Sequence, residues 1–149
     1  MLTFVERIAE KVEVTDSLTL VFEYRQKSRQ RVLLDSGAEA GLLLPRGTVL
    51  RGGDVLGSED GAMIRVISAP EPVSIATASG PILLMRACYH LGNRHVHLQV
   101  NETSILYQQD YVLDGMMDEM GLTVGHENLA FEPEAGAYGK HGQGDSHGH

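Results

Sequence analysis

The sequence predicts an α+β protein with a small all-β N-terminal domain, a ferredoxin-like βαββαβ domain and a disordered His-containing tail. Short apolar runs separated by turn residues fill the first seventy positions, a proline pair and a change of charge follow, and helical and strand periods then alternate. A chain of 149 residues can form one ordinary domain or two small ones. We place the domains at residues 1–71, 72–134 and 135–149.

The first domain is predicted from short strands with turns between them. Residues 17–23 (SLTLVFE) alternate between apolar and polar, whereas the basic residues 24–30 suit a turn. Further short apolar runs, each a candidate strand, lie at residues 31–34, 40–44, 48–50, 54–57 and 62–68. This spacing is typical of a small β-barrel or sandwich. The region contains no His and no Cys.

A linker is predicted at residues 69–72 (APEP), because two prolines in three positions favour an extended segment and stop a strand or helix. Residues 1–70 hold nine Lys or Arg and ten Asp or Glu, whereas residues 71–149 hold three and ten. Most of the net charge of −8 therefore lies in the second half. This acidity argues against nucleic-acid binding and attracts divalent cations, or it only keeps the protein soluble.

The second domain is predicted from alternating periods. Its predicted elements are a strand at 73–78, a helix at 82–91, strands at 95–102 and 104–109, a helix at 110–120 and a last strand within 122–131. Ser79 is a possible cap of the first helix, and Gly92-Asn93 is predicted to end it in a left-handed conformation. From Pro133 the chain is rich in Gly and small polar residues, which predicts disorder.

Six of the seven histidines lie in two clusters. The first is residues 88–99 (CYHLGNRHVHLQ), with Cys88, His90, His95 and His97, and the second is the tail, with His141, His147 and His149. Neutral imidazole is the commonest protein ligand for nickel, zinc and copper. The two clusters therefore predict a metal-binding protein.

Each candidate ligand has an ordinary structural alternative. His90 at a helix end can interact with the helix dipole, and Cys88 on an apolar stripe is more often core than ligand. On a strand, His95 and His97 would share a face roughly 6–7 Å apart. We interpret His97 as more often an ordinary surface residue of an alternating strand than a ligand. His95 differs because it directly follows the helix stop, where a side chain can lie at an edge. His126 stands alone and is interpreted as structural or exposed.

The sequence carries no catalytic motif, so we do not expect an enzyme. A zinc hydrolase would need three ligands on a rigid frame and an open position, and one chain does not offer three. A two-fold axis through His95 would supply two imidazoles at once, and tail histidines could complete the shell. An exposed site with few fixed ligands suits delivery of the ion.

The segments YHLGNRHVHLQ, LLLPRGTVLRGGDVL at 42–56 and YVLDGMMDEM at 111–120 together resemble the urease accessory protein UreE family of nickel metallochaperones. The resemblance covers essentially the whole chain. It implies a homodimer through the second domain, Ni²⁺ bound by His95 of both subunits and by tail histidines, with Zn²⁺ or Cu²⁺ as substitutes. It implies delivery to urease apoprotein with other accessory proteins, including a GTPase.

The sequence departs from the family at two places. Some members carry a His pair before the second helix, where this chain has Gln109-Asp110-Tyr111, and some have a much longer His-rich tail. We therefore expect few ions per dimer. No apolar run approaches the roughly 20 residues of a membrane span, and the N-terminus lacks the apolar region of a secretory signal, which predicts a cytoplasmic protein.

Overall fold

A computed structural model describes residues 1–9 and 12–136. The chain divides into two compact units, Met1–Ala69 and Pro70–Glu134. Most of the predicted disordered tail, from residue 137 onward, lies outside the described residues. No helix within the described residues is long and apolar enough to cross a bilayer.

The first unit consists of strands and one helical turn, so the predicted all-β domain is confirmed. In chain order, its elements are β1 (Leu2–Ile8), β2 (Asp16–Leu20), the turn α1 (Phe22–Arg25), β3 (Arg29–Leu33), β4 (Glu39–Leu43), β5 (Val55–Ser58) and β6 (Met63–Ser68). The strands form one sheet in the order β2-β6-β5-β1-β4-β3. β1 runs parallel to β4 and β2 parallel to β6, while the other neighbours are antiparallel.

Two strand predictions in this unit are wrong. The strand predicted at 17–23 ends at Leu20, and residues 48–50 form no strand. The cause is Arg25, whose side chain is fully buried and donates hydrogen bonds to the carbonyl oxygens of Leu20 and Leu50 at 3.1 and 3.0 Å. A buried cation needs such partners, so the chain turns around this guanidinium. Leu50 is buried beside it.

The second unit has the element order that the sequence predicts. Its elements are β7 (Pro70–Thr77), α2 (Pro81–Asn93), β8 (Gln99–Val100), β9 (Ser104–Gln108), α3 (Tyr111–Met120) and β10 (Thr123–Ala130). The strands lie in the order β10-β7-β9-β8, and all neighbours are antiparallel. This βαββαβ arrangement confirms the ferredoxin-like prediction.

The proline pair is part of a strand, so the prediction of a strand-free linker at residues 69–72 is wrong. Pro70 and Pro72 lie opposite Ala130 and Asn128 of β10. The ladder between β9 and β7 begins only at Val73. On that side Pro72 takes part through its carbonyl oxygen alone, which accepts a hydrogen bond from Gln109 N at 3.3 Å. Proline lacks a backbone N–H. It is tolerated at such a position because no neighbouring strand requires that N–H as a donor.

The helices pack one apolar face on the sheet. α2 buries Leu84, Ala87 and Leu91, and α3 buries Leu113 and Met117. The N-cap of α2 is Gly80, without a side-chain cap, so the prediction of Ser79 is wrong by one residue. The predicted end of α3 is confirmed, since Gly121 is its left-handed C-cap with φ of 102°.

Candidate metal centre

His95 occupies the turn that ends α2. The backbone N–H of His95 donates to Gly92 O at 3.0 Å, and that of Val96 donates to Leu91 O at 3.2 Å. These two bonds, with Arg94 as the C-cap, form a Schellman motif. Val96 and Leu91 both pack in the core of the second unit, which is the apolar contact that usually accompanies this motif.

The left-handed residue of this motif is His95, with φ of 58°. The prediction that Gly92-Asn93 would end the helix in this conformation is therefore wrong, because α2 continues to Asn93. Glycine usually takes this position because a Cβ costs about 1–2 kcal/mol there. Strain of this kind is concentrated at functional sites. The imidazole is carried on an exposed corner of the second unit.

The other histidines of the first cluster are also exposed, but they do not share a strand face with His95. His97 precedes β8, which begins at Gln99, so the prediction of a strand from 95 to 102 is wrong and the same-face argument does not apply. His90 lies in the last turn of α2, with its ring edge-on to Tyr89 at a centroid distance of 5.3 Å. Within residues 1–9 and 12–136, no three His, Cys, Asp or Glu side chains come together to hold a metal ion.

Cys88 lies on the inner side of α2. It is partly buried and packs against the core of the second unit, as its helical spacing predicts. Burial raises the pKa of its thiol above the ordinary value. The neutral thiol therefore dominates at pH 7, whereas a metal ligand would be the thiolate.

A polar cluster that the sequence interpretation missed joins β9, α3 and β10. His126 Nε2 lies 2.7 Å from Asp114 Oδ2, and the Tyr107 hydroxyl donates to Asp114 Oδ1 at 2.7 Å. Burial acts to raise the pKa of Asp114, but the hydroxyls of Ser74 and Tyr107 and the His126 ring outweigh it and lower that pKa. The alternation of β10 is the signal for this cluster. Val124 packs against the core, so His126, two positions further along the strand, lies on the same face, and it is opposite Ser74.

The tail begins beside the His95 corner. The backbone N–H of Glu132 donates to Gln99 Oε1 at 2.9 Å, and that of Glu134 donates to Leu98 O at 2.6 Å. Leu98 is three residues from His95, within about 11 Å along the chain. The predicted ligands of the tail lie outside the described residues: His141, His147 and His149. Six residues lie between Glu134 and His141, so seven steps along the chain set a reach of about 25 Å.

The outer face of α2 carries an apolar stripe that leads toward His95. Ile82, Met85 and Tyr89 are 57%, 58% and 65% exposed, and their spacing of three and four residues places them on one face. They lie opposite the buried face of the helix. We call residues 82, 85 and 89 the outer stripe of α2.

The all-β unit and the ferredoxin-like unit define a two-domain α+β protein. The second unit carries an exposed His corner beside the root of a His-containing tail. Residues 4–69 match the UreE urease accessory protein N-terminal domain, and residues 71–149 match its C-terminal domain. The chain belongs to the UreE urease accessory protein family, as the sequence resemblance indicates.

Relatives align over nearly the whole chain. The urease accessory protein UreE of Citrobacter koseri is 51% identical over 150 residues, covering 100% of this chain and 99% of the relative. Proteins of the same name are 52% identical in an Enterobacter species, covering 93% of this chain and 91% of the relative. In Pseudomonas putida the identity is 51%, over 93% of this chain and 86% of the relative.

Proposed function

We propose that this protein is a nickel metallochaperone that delivers Ni²⁺ for assembly of the urease active site. The observation that carries the proposal is His95, an exposed imidazole held by a Schellman motif at the left-handed position that glycine usually takes. The relatives are named urease accessory proteins, which supports urease as the destination. In this role Ni²⁺ is the ion that the protein transfers and not a permanent cofactor.

One imidazole holds nickel weakly, so a second copy of the chain completes the site. The outer stripe of α2 supports this dimer, because three large apolar side chains on one helix face gain stability when a partner covers them. The stripe leads to the His95 corner, so a two-fold axis at the end of α2 would bring two His95 side chains together. We assign metal binding and dimerisation to residues 72–134.

The tail supplies further ligands from close by. Its root is fixed at Leu98 and Gln99, so His141, His147 and His149 have the reach to approach an ion on His95. Tethering raises the local concentration of these imidazoles without fixing their geometry. His90 and His97, exposed on either side of His95, are secondary candidates.

Such a site favours delivery over catalysis. Its ligands come from two chains and a tail, so the ion can leave by steps as individual imidazoles dissociate. The acidic second half attracts divalent cations. Imidazole ligands also accept Zn²⁺ and Cu²⁺, which can substitute for nickel. We assign docking of the partners, urease apoprotein and the accessory proteins including the GTPase, to residues 1–71, in the cytoplasm.

The test is calorimetric titration of Ni²⁺ into the wild type and His95→Ala. We expect the tightest binding to weaken by more than about tenfold in the variant. His126→Gln is the matched control, because it removes an imidazole from the same unit and keeps a side chain that can hydrogen-bond Asp114. Undiminished tight binding in His95→Ala would overturn the assignment.

A further inference from the structure

β10 is an edge strand of the second unit, because β7 is its only neighbour in the sheet. Gln109 N donates to Pro72 O at 3.3 Å, and Ala78 N donates to Thr103 O at 2.9 Å. The even-numbered residues of β7 therefore bond to the β9 side. Antiparallel pairing alternates, so the odd-numbered residues of β7 bond to β10, where they lie opposite odd-numbered residues. The even-numbered residues of β10 then have backbone groups that point away from the sheet: Val124, His126, Asn128 and Ala130.

The outward backbone groups of β10 are open to a further strand. Among the residues that the structure describes, none bonds to these N–H and C=O groups, and residues 125–128 are exposed. The opposite edge of the sheet differs, because the chain returns to it after β10. There Glu134 N donates to Leu98 O at 2.6 Å, beside the start of β8. The second unit thus uses its own chain at the β8 edge and leaves the β10 edge open.

β10 lacks most of the features that protect sheet edges. It is eight residues long, pairs with β7 without a bulge, and contains no Pro and no Lys. Natural proteins usually protect an exposed edge with these residues, with a bulge or by making the strand very short. The length and regular register of β10 therefore suit it to pair with another strand.

Gly125 lies in the interior of this strand although neither its conformation nor its surroundings require glycine. Its φ is not positive, and a Cβ at this position would have no neighbouring atom within 4 Å. Glycine weakens the interior of a strand and is often found where another backbone approaches closely. The residue therefore fits a position at which a partner strand approaches the edge.

The chain around this edge carries negative charge only. Residues 95–136 contain eight Asp or Glu and no Lys or Arg. Glu127 lies on β10 itself, is exposed and forms no ion pair with the described part of the chain. Successive side chains of a strand alternate between faces, so an added strand with Lys or Arg at alternate positions would place cations beside Glu127.

We propose that the β10 edge binds an extended basic segment of a partner protein, which adds to the four-stranded sheet as a fifth strand. Backbone hydrogen bonds along a sheet edge provide affinity in this mode, and side chains select the sequence. Charge complementarity favours a basic segment. A second copy of the chain suits the edge less, because both strands would carry Glu127. The tail of the chain also suits it less, because residues 137–149 are rich in Gly, which has low strand propensity.

The simpler explanation is that Glu127 only prevents copies of the chain from pairing through this edge, and that the acidic unit attracts any cation at long range. Attraction of that kind does not need the N–H groups of a peptide. It also does not depend on which acidic residue of the unit is changed. Probes that separate backbone pairing from charge therefore decide between these explanations.

The experiment measures the fluorescence anisotropy of a labelled octapeptide of alternating Lys and Val, mixed with the full-length metal-free protein. We expect saturable binding that weakens about tenfold or more when every peptide nitrogen is methylated, and similarly for a Glu–Val octapeptide.

Two pairs of variants test the edge itself. Asn128→Pro removes an outward N–H that β7 does not need, so binding should weaken about tenfold, whereas Asn128→Ala keeps the N–H and should bind like the wild type. Glu127→Lys should weaken binding by a similar factor. Glu102→Lys makes the same charge change in the exposed turn before β9 and should weaken binding by about twofold or less.

Circular dichroism of each variant establishes that the sheet is intact before binding is compared. Absence of saturable binding to the wild type, equal binding of the methylated and unmethylated peptides, or equal losses in Glu127→Lys and Glu102→Lys would overturn the proposal. Tighter peptide binding by a chain that ends after Gly136 would overturn it in favour of the tail as the occupant. A lower mass of Asn128→Pro in light scattering would overturn it in favour of a second copy. Nickel titration of Asn128→Pro should match the wild type, so this proposal and the nickel proposal can fail separately.

Discussion

At the scale of single residues, His95 is the position where the proposed metal-binding role and backbone stability conflict. Glycine usually takes the left-handed position of a Schellman motif, whereas this chain has a histidine there with φ of 58°. The flanking bonds from His95 and Val96 to the last turn of α2 hold the corner in place. The backbone strain is tolerated because the rest of the motif and the packing of Val96 against the core of the second unit maintain the turn.

Replacing His95 by Gly or by Ala should separate this strain from ligand loss. Both variants lose the imidazole, but Gly accepts a positive φ and Ala does not. We expect metal-free His95→Gly to be more stable than His95→Ala by about 1 kcal/mol. Urea unfolding monitored by circular dichroism measures the difference, and both variants should bind nickel equally poorly. Equal stabilities would mean that the left-handed conformation carries no strain.

The Tyr107–Asp114 hydrogen bond should contribute to stability in a pH-dependent way. Burial first, and then the Asp114 carboxylate, raises the pKa of Tyr107, so its hydroxyl stays protonated and donates at neutral pH. The pKa of Asp114 is lowered in the folded state. The stability that the carboxylate contributes is therefore present above its unfolded pKa of about 4 and is lost as the pH falls through the folded value.

Tyr107→Phe should lower the free energy of unfolding by about 1.5–3 kcal/mol at pH 7, since it removes a hydrogen bond to a charged group. It should also make stability fall less steeply below pH 4. Urea unfolding at pH 7 and pH 3 measures both effects. Tyr111→Phe is the matched control, because Tyr111 is 91% exposed on α3. Equal losses in the two variants would contradict the role of the hydrogen bond.

At the scale of elements, α2 shows which parts of the structure local sequence could predict. Its apolar residues recur at helical spacing, and Leu84, Ala87 and Leu91 are buried as that spacing predicts. Its end was misplaced because Gly92 and Asn93 are typical stop residues, whereas the bonds that close the motif depend on Val96 reaching the core. The strand at 95–102 shrank to β8 because His95 and Val96 belong to the turn that ends α2, and β9 pairs only with Gln99 and Val100.

The outer stripe of α2 should control dimerisation. Met85→Glu places a charge in the middle of the proposed interface, so we expect the dimer to dissociate and nickel affinity to fall about tenfold or more as the shared His95 site is lost. Val112→Glu is the matched control, since Val112 on α3 is 59% exposed against 58% for Met85. Light scattering coupled to size exclusion measures the mass. A dimer that survives Met85→Glu but not Val112→Glu would place the interface on α3.

At the scale of the whole molecule, charge and chain connectivity separate two roles. The His corner and the root of the tail belong to the acidic half, whereas the charges of the first unit are nearly balanced. The charge asymmetry is a property of the sequence itself. The folds of the two units could be predicted because the periods of strands and helices are visible in the pattern of apolar residues. It did not predict the tail anchor at Leu98 and Gln99, because two hydrogen bonds between segments far apart in the chain leave no local pattern.

Ending the chain after Gly136 tests whether the anchored tail acts on the metal. The deleted residues, 137–149, contain one Lys and one Asp, so net charge is unchanged and lost affinity cannot reflect weaker long-range attraction. We expect the dimer to persist, the tightest Ni²⁺ binding to weaken about tenfold, and the number of bound ions to fall. Full-length protein with His141, His147 and His149 changed to Ala should behave like the truncated chain, because the imidazoles and not the tail backbone bind the ion. Calorimetry gives the affinities and native mass spectrometry the ion count. Unchanged affinity and count in both variants would confine nickel binding to residues before the tail.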